Sequence, residues 1–509
     1  MKTKILSLIG IFTMTFWSCS DELDLKPLDS ITIDGFYNTR SDFDGAVFAA
    51  YSSIQDFWGT STETLSERGE YWKLSMVITD DVAADPVTAA GDQISIDIDN
   101  LQIRAADVPY AAVYTQIYEG IFRANLVLEN LDGDNELTAE DKTVLEAEAK
   151  FLRAWFHFQA LKMFGTPPIA DEVLTDINNL ALPNATQEDL YAFILADFNT
   201  AATGLPESWD SSNTGRATSW AARAFIGKVN VFQEDFASAI TNLGNVVNNG
   251  PYSLVPNYED VFSFENENNS ESIFEVQYGG PQSDDNLWVF DDTHSENFKA
   301  SQGTGRGWYW DAGNGAPGGK LGWWAPTQDL VDSFEDGDTR KQTILYEDGD
   351  MYFTTFTSLP YDTEWSSTNF TLKKYRGETN TVPGNHAPNQ QADFNNERWM
   401  RLAEIKLLYA EALIQGSGDL GIARTQIDDI RNRAGLAPTT AADGDLLTAM
   451  IQEKRVELAL EPHRWFDIVR WDLGPTIFGG QWDPRFEVFP FPQSEVDRSG
   501  GLLNQNTGY

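Results

Sequence analysis

The chain has 509 residues, enough to bury a large core, and sets 78 acidic against 35 basic residues for a formal net charge of −43 at pH 7. A surface field of that sign and size repels nucleic acid and anionic polymers and suits a neutral ligand or a saline medium. One cysteine and four scattered histidines exclude an intrachain disulfide, a thiolate metal centre and a HExxH-type metal helix, so the sequence points to no metal and no cofactor.

The amino terminus reads as an export signal. Lys2 and Lys4 precede a mostly apolar run, Ile5 to Trp17, which is too short to cross a bilayer as a helix. Ser18-Cys19 closes the run. A small residue before a lone cysteine resembles a bacterial lipobox, in which the cysteine becomes the lipid-bearing first residue of the mature protein. Residues 1–18 are therefore expected to be removed, with Cys19 as the lipidation site; loss of Lys2 and Lys4 takes the net charge from −43 to −45. The following Ser20-Asp21-Glu22-Leu23-Asp24 resembles the surface-export signal of Bacteroidetes lipoproteins, which implies tethering to the outer membrane, facing outward.

A helical period starts at Ser41, the expected N-cap, with Phe43, Val47, Ala50 and Ile54 on one face. Residues 79–107 read as a polar loop. Tyr110 to Leu128 gives the next helix. Asp132-Gly133-Asp134-Asn135 resembles the start of a calcium loop, but Leu137 and Thr143 stand where the turn glycine and the bidentate glutamate belong, so it reads as a turn. Residues 139–164 predict a long helix with His157 as a core histidine, ended by Gly165-Thr166-Pro167-Pro168. Another helix follows from about Thr186. In 217–251, Ile226-Gly227, Ala239, Leu243 and Pro251 stand at tetratricopeptide spacing, with Gly227 and Ala239 letting two antiparallel helices approach closely. Asp419 and Ala423 repeat the turn and the contact alanine. One pair cannot bury its own face, so about four stacked pairs are expected.

Between about 252 and 397 the helical period fades into Asn, Gly and aromatic-rich pieces. Ser272–Tyr278 and Phe370–Tyr375 read as strands and Thr327–Phe334 as a helix. Helices resume at Arg398 and run to about 472, and the tail from Phe489 reads as extended. The expected fold is mainly α: a tetratricopeptide-like helical-pair scaffold, about 41–251 and 398–472, carrying one large irregular region of loops and short strands, within a single domain from residue 19 to 509.

That region contains Gly303–Pro326, where Trp308, Tyr309, Trp310, Trp323 and Trp324 sit among glycines, with Trp288 upstream. Glycine weakens both helix and strand. The rings are either displayed to a ligand or folded back into the core, and their position in the part of the chain without helical period favours display. Trp155, Trp220, Trp399, Trp465 and Trp471 lie on helical patterns and read as scaffold.

Several long motifs then resemble one family. Arg398-Trp399-Met400-Arg401-Leu402-Ala403-Glu404 with Leu407-Leu408-Tyr409-Ala410-Glu411-Ala412 is similar to a signature helix of the SusD/RagB family. Ile430-Arg431-Asn432-Arg433-Ala434-Gly435-Leu436 and Glu453-Lys454-Arg455-Val456-Glu457-Leu458-Ala459 resemble two more, as do His463-Arg464-Trp465-Phe466-Asp467-Ile468-Val469-Arg470-Trp471 and the closing Pro492-Gln493-Ser494-Glu495 and Asn504 to Tyr509. Pro462 and Lys454 replace the usual Gly and Arg. The resemblance implies a non-enzymatic surface lipoprotein that caps a SusC-like TonB-dependent transporter and binds a glycan, or a peptide in the RagB branch. It also implies that Arg464, Asp467 and Arg470 make structural ion pairs.

Neutral sugars offer apolar faces to Trp and Tyr, and hydroxyls to polar side chains. The candidate ligand residues are Trp288, Trp308, Tyr309, Trp310, Trp323, Trp324, Asp284, Asn286, Arg306 and Asp311, with Asp285 and Asn314 nearby and Trp58, Tyr71, Trp72 and Trp365 as weaker candidates. The acidic surface favours a neutral glucan over alginate, pectin or sulfated glycans; laminarin-type β-glucan ranks first and starch-like α-glucan second. A glycoside hydrolase would need two acids at a set separation. Asp80-Asp81 supplies a pair, but nothing singles it out, and no catalytic residue is assigned.

Overall fold

Thr138 starts the longest helix with a capping box. Its hydroxyl accepts from the Asp141 amide at 3.1 Å, while the Asp141 carboxylate accepts from the Thr138 amide. Gly165, at φ 73°, ends the helix, its amide donating to the Leu161 carbonyl. Thr186, Thr218, Asp235 and Asp419 cap later helices in the same way. The computed structural model describes residues 36–56, 70–84, 92–175, 181–277, 322–353, 358–375 and 395–509. The main helices are α1 (Arg40–Asp56), α2 (Val108–Asn130), α3 (Ala139–Phe164), α4 (Gln187–Gly204), α5 (Ser219–Phe232), α6 (Phe236–Asn249), α7 (Leu402–Gln415), α8 (Leu420–Arg433), α9 (Leu446–Glu457) and α10 (Arg464–Arg470).

Each helix from α1 to α8 packs on the next in sequence, which makes a stack of antiparallel pairs. Small residues set the spacing. A Cβ on Gly227 would lie 2.4 Å from Leu243 of α6, and buried Ala239 faces the same seam. The stack runs straight across the long insertion, because α6 packs directly on α7. Gly244 of α6 lies against Tyr409, while Phe236 and Ile240 lie against Gly416, so the two helices are antiparallel. The insertion therefore leaves and rejoins the stack at one end.

Gly120 of α2 is the tightest crossing: a Cβ there would sit 2.2 Å from the fully buried Phe156 ring of α3. Gly120→Ala is expected to cost about 1–3 kcal/mol by overpacking, read as a lower urea midpoint with an unchanged slope.

The insertion forms short antiparallel strand pairs, one of them with a strand from far earlier in the chain. β1 (Val82–Ala84) pairs with β3 (Trp324–Pro326), and β2 (Ser272–Val276) with β8 (Glu397–Arg401). β4 (Leu345–Tyr346) pairs with β7 (Thr371–Leu372), and β5 (Met351–Phe353) with β6 (Ser358–Pro360). The chain's tail closes on the end of α3. The Phe489 amide donates to the Met163 carbonyl at 2.7 Å, and the Phe491 ring stacks on Phe164 at 5.4 Å.

Several expectations need correction. Thr39, not Ser41, caps α1, through its reciprocal bonds with Asp42. The stretch read as a polar loop at 79–107 contains β1 and a helix, Gln93–Asp99, capped by Asp92. Helix does not begin at Arg398: residues 397–401 are β8, from which Arg401 reaches the buried carboxylates of Glu271, Glu457 and Glu461. The tail is not wholly extended, since Gln493–Arg498 is helical. The calcium-like turn serves α2, with the Asn135 side chain donating to the Asn130 and Leu131 carbonyls. Among the described residues no cluster of His, Cys, Asp or Glu is arranged to hold a metal. His157 is fully buried and satisfied, with Nδ1 2.9 Å from the Arg153 carbonyl and Nε2 accepting from the Ala170 amide; burial pushes it down to about 3, so it stays neutral.

Candidate functional site

The segment that bears the predicted aromatic platform leaves the described structure after Gln277 and re-enters it at Gly322. Trp288, Trp308, Tyr309, Trp310, Asp284, Asn286, Arg306 and Asp311 lie outside the described residues, as do Asp285, Asn314, Trp58 and Cys19. What is described is the mounting at each end.

At the outgoing end Gln277 is held on all sides. Its carbonyl accepts from Gln55 Nε2 of α1 at 2.5 Å. Its side chain exchanges bonds with Asn268 at 2.9 and 3.0 Å and accepts from Asn396 at 3.1 Å. Gly215 presses on it from the other side: at φ 92° it adopts the left-handed conformation, and a Cβ would lie 2.2 Å from Gln277 Cγ. These residues border a cavity of about 230 Å³ with Phe48, Tyr51, Gln55 and Arg216 on its walls. Arg216 is fixed by Glu148 and Asp44, and its guanidinium lies 4.4 Å from the Trp209 ring centroid and 5.2 Å from that of Phe48. Phe48 remains 47% exposed at the rim. A flat apolar ring beside amides and a guanidinium can stack on a sugar face and bind its hydroxyls. Sequence reasoning missed Phe48, Gln55, Arg216 and Gln277. The one available signal was Phe48, a large aromatic next to Val47 and off the core stripe of α1.

At the returning end the prediction for Trp324 fails. Trp324 is 1% exposed within β3, its indole N–H donates to Ser95 Oγ at 3.0 Å, and it meets Trp72 edge to face at 6.1 Å. Its partners come from Asp92–Asp99 and Glu70–Val77, far back in the sequence, and they bury the ring that glycine-rich neighbours suggested was displayed. Trp323 is half-buried and packed against the core. Of the weaker candidates, Tyr71 and Trp72 are buried. Trp365 packs edge-on against Tyr352 and Tyr361 in a satellite cluster. Trp155, Trp220 and Trp465 are buried and Trp471 is half-buried, as the helical pattern implied; Trp399 is buried too, but on β8 and not on a helix.

Both mountings run down into buried charge. Beneath β2 and β8, Arg401 binds Glu271 at 2.8 Å, Glu457 at 2.5 Å and Glu461 at 2.7 Å. Arg433 reaches Glu271 at 2.7 Å and also Glu457; Arg340 joins Asp338 at 2.7 Å, Glu453 at 2.6 Å and Glu457 at 3.0 Å. Lys374 bonds Glu461 at 2.6 Å, and burial brings it down to about 8 despite that partner. Burial alone would raise Glu457, yet Arg433, Arg401 and Arg340 together hold it well below the ordinary carboxylate range. Beneath β1, Arg464 grips Asp80 through two bonds of 2.9 and 2.7 Å, and Arg455 spans Asp80, Asp81 and Asp329. Asp467 bonds Lys454 and Arg470, and Arg470 also reaches Glu411. Arg464, Asp467 and Arg470 are thus structural ion pairs. The Asp80-Asp81 pair is locked under two arginines.

Stacked antiparallel helix pairs with one rooted, irregular insertion define a tetratricopeptide-like ligand-binding scaffold. Residues 270–485 match the model of the SusD family, and residues 49–231 match that of starch-binding proteins associating with the outer membrane. A SusD-like protein of Formosa agariphila is 25% identical over the whole of both chains, and the starch-binding protein SusD of Bacteroides thetaiotaomicron is 22% identical over the whole of both. A solved laminarin-binding SusD-like protein superposes with a TM-score of 0.75 at 25% identity, covering 93% of this chain and all of the other. The chain belongs to the SusD/RagB family.

Proposed function

We propose that the protein is a surface lipoprotein, anchored to the outer membrane through Cys19, that captures a neutral polysaccharide or its oligosaccharides and delivers it to a SusC-like TonB-dependent transporter. It acts by binding and not by catalysis. The observation that carries the reading is the rooting of one Trp- and Gly-rich segment at both ends on a rigid, ion-paired scaffold. Such a mounting suits a ligand-binding segment, because fixing its two ends lowers the freedom left to lose on binding. Trp288, Trp308, Tyr309, Trp310 and half-buried Trp323 supply the stacking faces, while Asp284, Asn286, Arg306 and Asp311 bind hydroxyls. Buried Trp324 serves as their anchor.

A laminarin-type β-glucan is the first ligand, supported by likeness to a laminarin-binding relative and by the net charge of −43, which disfavours anionic glycans. A starch-like α-glucan is the second reading, favoured by the starch-binding relative. Affinity electrophoresis against laminarin, amylopectin, alginate and pectin tests both: laminarin should retard the protein, amylopectin less so, and the acidic polymers not at all. Retardation by the acidic polymers alone would overturn the reading.

A further inference from the structure

A second cleft lies on α2, bounded by the loop after α3 and by the chain's tail; it shares no residue with the cavity at Gln277. Its volume is about 710 Å³, within the usual range of ligand sites. Tyr114, Tyr118 and Phe122 recur every fourth residue along α2, so their rings form one ridge with a step of about 6 Å along the axis. The ridge rises out of the core. Tyr114 is 9% exposed at the floor, Tyr118 is half-buried, and Phe122 stands 45% exposed at the mouth. The Tyr118 hydroxyl donates to the Pro168 carbonyl at 2.8 Å, and its ring lies 4.4 Å from that of Tyr114, which fixes the middle of the ridge in place. Leu502, also 45% exposed, faces the cleft from the tail, beside Gly500 and Gly501, whose positive φ values and absent side chains leave that wall open. Glu172 and Arg498, both exposed, put hydrogen-bonding groups of opposite charge on the rim.

We infer that this cleft is a second saccharide site, in which Phe122 and Tyr118 stack on successive sugar faces while Glu172 and Arg498 bind hydroxyls. Flat rings repeating at roughly the length of one sugar unit, edged by polar groups of both signs, suit a neutral, amphipathic chain. An anionic ligand would meet the acidic surface field, and a purely apolar one would make no use of the polar rim, where Glu172 lies exposed and Arg498 is paired with Glu495. The inference rests on the glycan reading above and adds a second foothold for one polymer, so that binding to long chains gains from avidity.

Calorimetric titration of the purified full-length protein with laminarihexaose, maltohexaose, cellohexaose and mannohexaose tests it, with tryptophan fluorescence followed in parallel. No tryptophan lines the second cleft, whereas the first site is built on them. The expected result is two sites for at least one of these sugars, only one of which changes tryptophan emission. Phe122→Ala should weaken the fluorescence-silent site about tenfold, the scale of one lost aromatic stack, and Phe122→Tyr should restore it. Leu502→Glu, at an exposed position that leaves folding intact, should weaken the same site. A single site untouched by either variant overturns this inference and leaves the first reading standing. Absence of any binding to the four sugars overturns both. Self-association of the wild type, lost in Phe122→Ala, would mark the cleft as a protein interface and overturn the inference as well.

Discussion

Glu457→Ala is expected to destabilise the protein by about 3–5 kcal/mol, the cost of removing one partner from a buried ion pair. Glu457 is fully buried at the end of α9, and it touches arginines from three separate parts of the chain: Arg401 on β8, Arg433 at the end of α8, and Arg340 between β3 and β4. Its loss leaves three guanidinium groups short of a counter-charge where water cannot replace it. The exposed pair Arg123–Glu119 is the control. Glu119→Ala there should cost under about 1 kcal/mol, since solvent screens it. Urea titration of the two variants measures the contrast. The same site predicts acid sensitivity. Glu457 and Glu461 are depressed below 4.5 in the folded chain, so the unfolded chain binds protons first as the pH falls. Their contribution is complete above about pH 4.5 and is lost as the pH falls from there through their folded values. Glu453, which burial raises, opposes this in part. The melting temperature should therefore drop below pH 4.5, and the drop should be shallower in Glu457→Gln.

The second large effect separates display from anchorage within one stretch of sequence. On the proposed function, Trp308→Ala or Trp310→Ala should weaken retardation on laminarin gels while leaving the melting temperature within a degree or so of wild type. Trp324→Ala should instead cost about 3–5 kcal/mol, because it empties a buried indole site and removes the hydrogen bond that Ser95 Oγ accepts. Unfolding of the Trp308 and Trp310 variants would show that their rings belong to the core with Trp324.

The helices were legible in the sequence to the degree that their ends carry local chemistry. α3 begins and ends where Thr138, Asp141 and Gly165 dictate, and all three act within a few residues of themselves. β8 was not legible, because Trp399, Leu402 and Ile405 recur at a helical interval while the strand's real partner, β2, lies more than a hundred residues earlier. Trp324 failed for the same reason: Ser95 is 229 residues away. The carboxy-terminal motifs imply structural ion pairs at Arg464, Asp467 and Arg470, which the structure contains, but not what those pairs hold together. The buried ion pairs clamp the strands on either side of residues 278–321, and that convergence exists only in three dimensions. The groups lining the cavity at Gln277 come from three separated stretches, and no periodicity connects them.

The antiparallel contact of α6 with α7 brings the end of one helix beside the start of the other, and residues 250–401 hang from that point as a closed excursion. The entropy of closing such an excursion grows only with the logarithm of its length, by about 0.6 kcal/mol per doubling. Changes in length between Gln277 and Gly322 therefore add little to that cost, whereas Phe274 of β2, which packs on Phe151 and Phe225, ties the strands of the excursion into the stack. A protein of this build can thus vary the segment between those strands at small cost in chain entropy, provided that it keeps the arginine-clamped strands themselves.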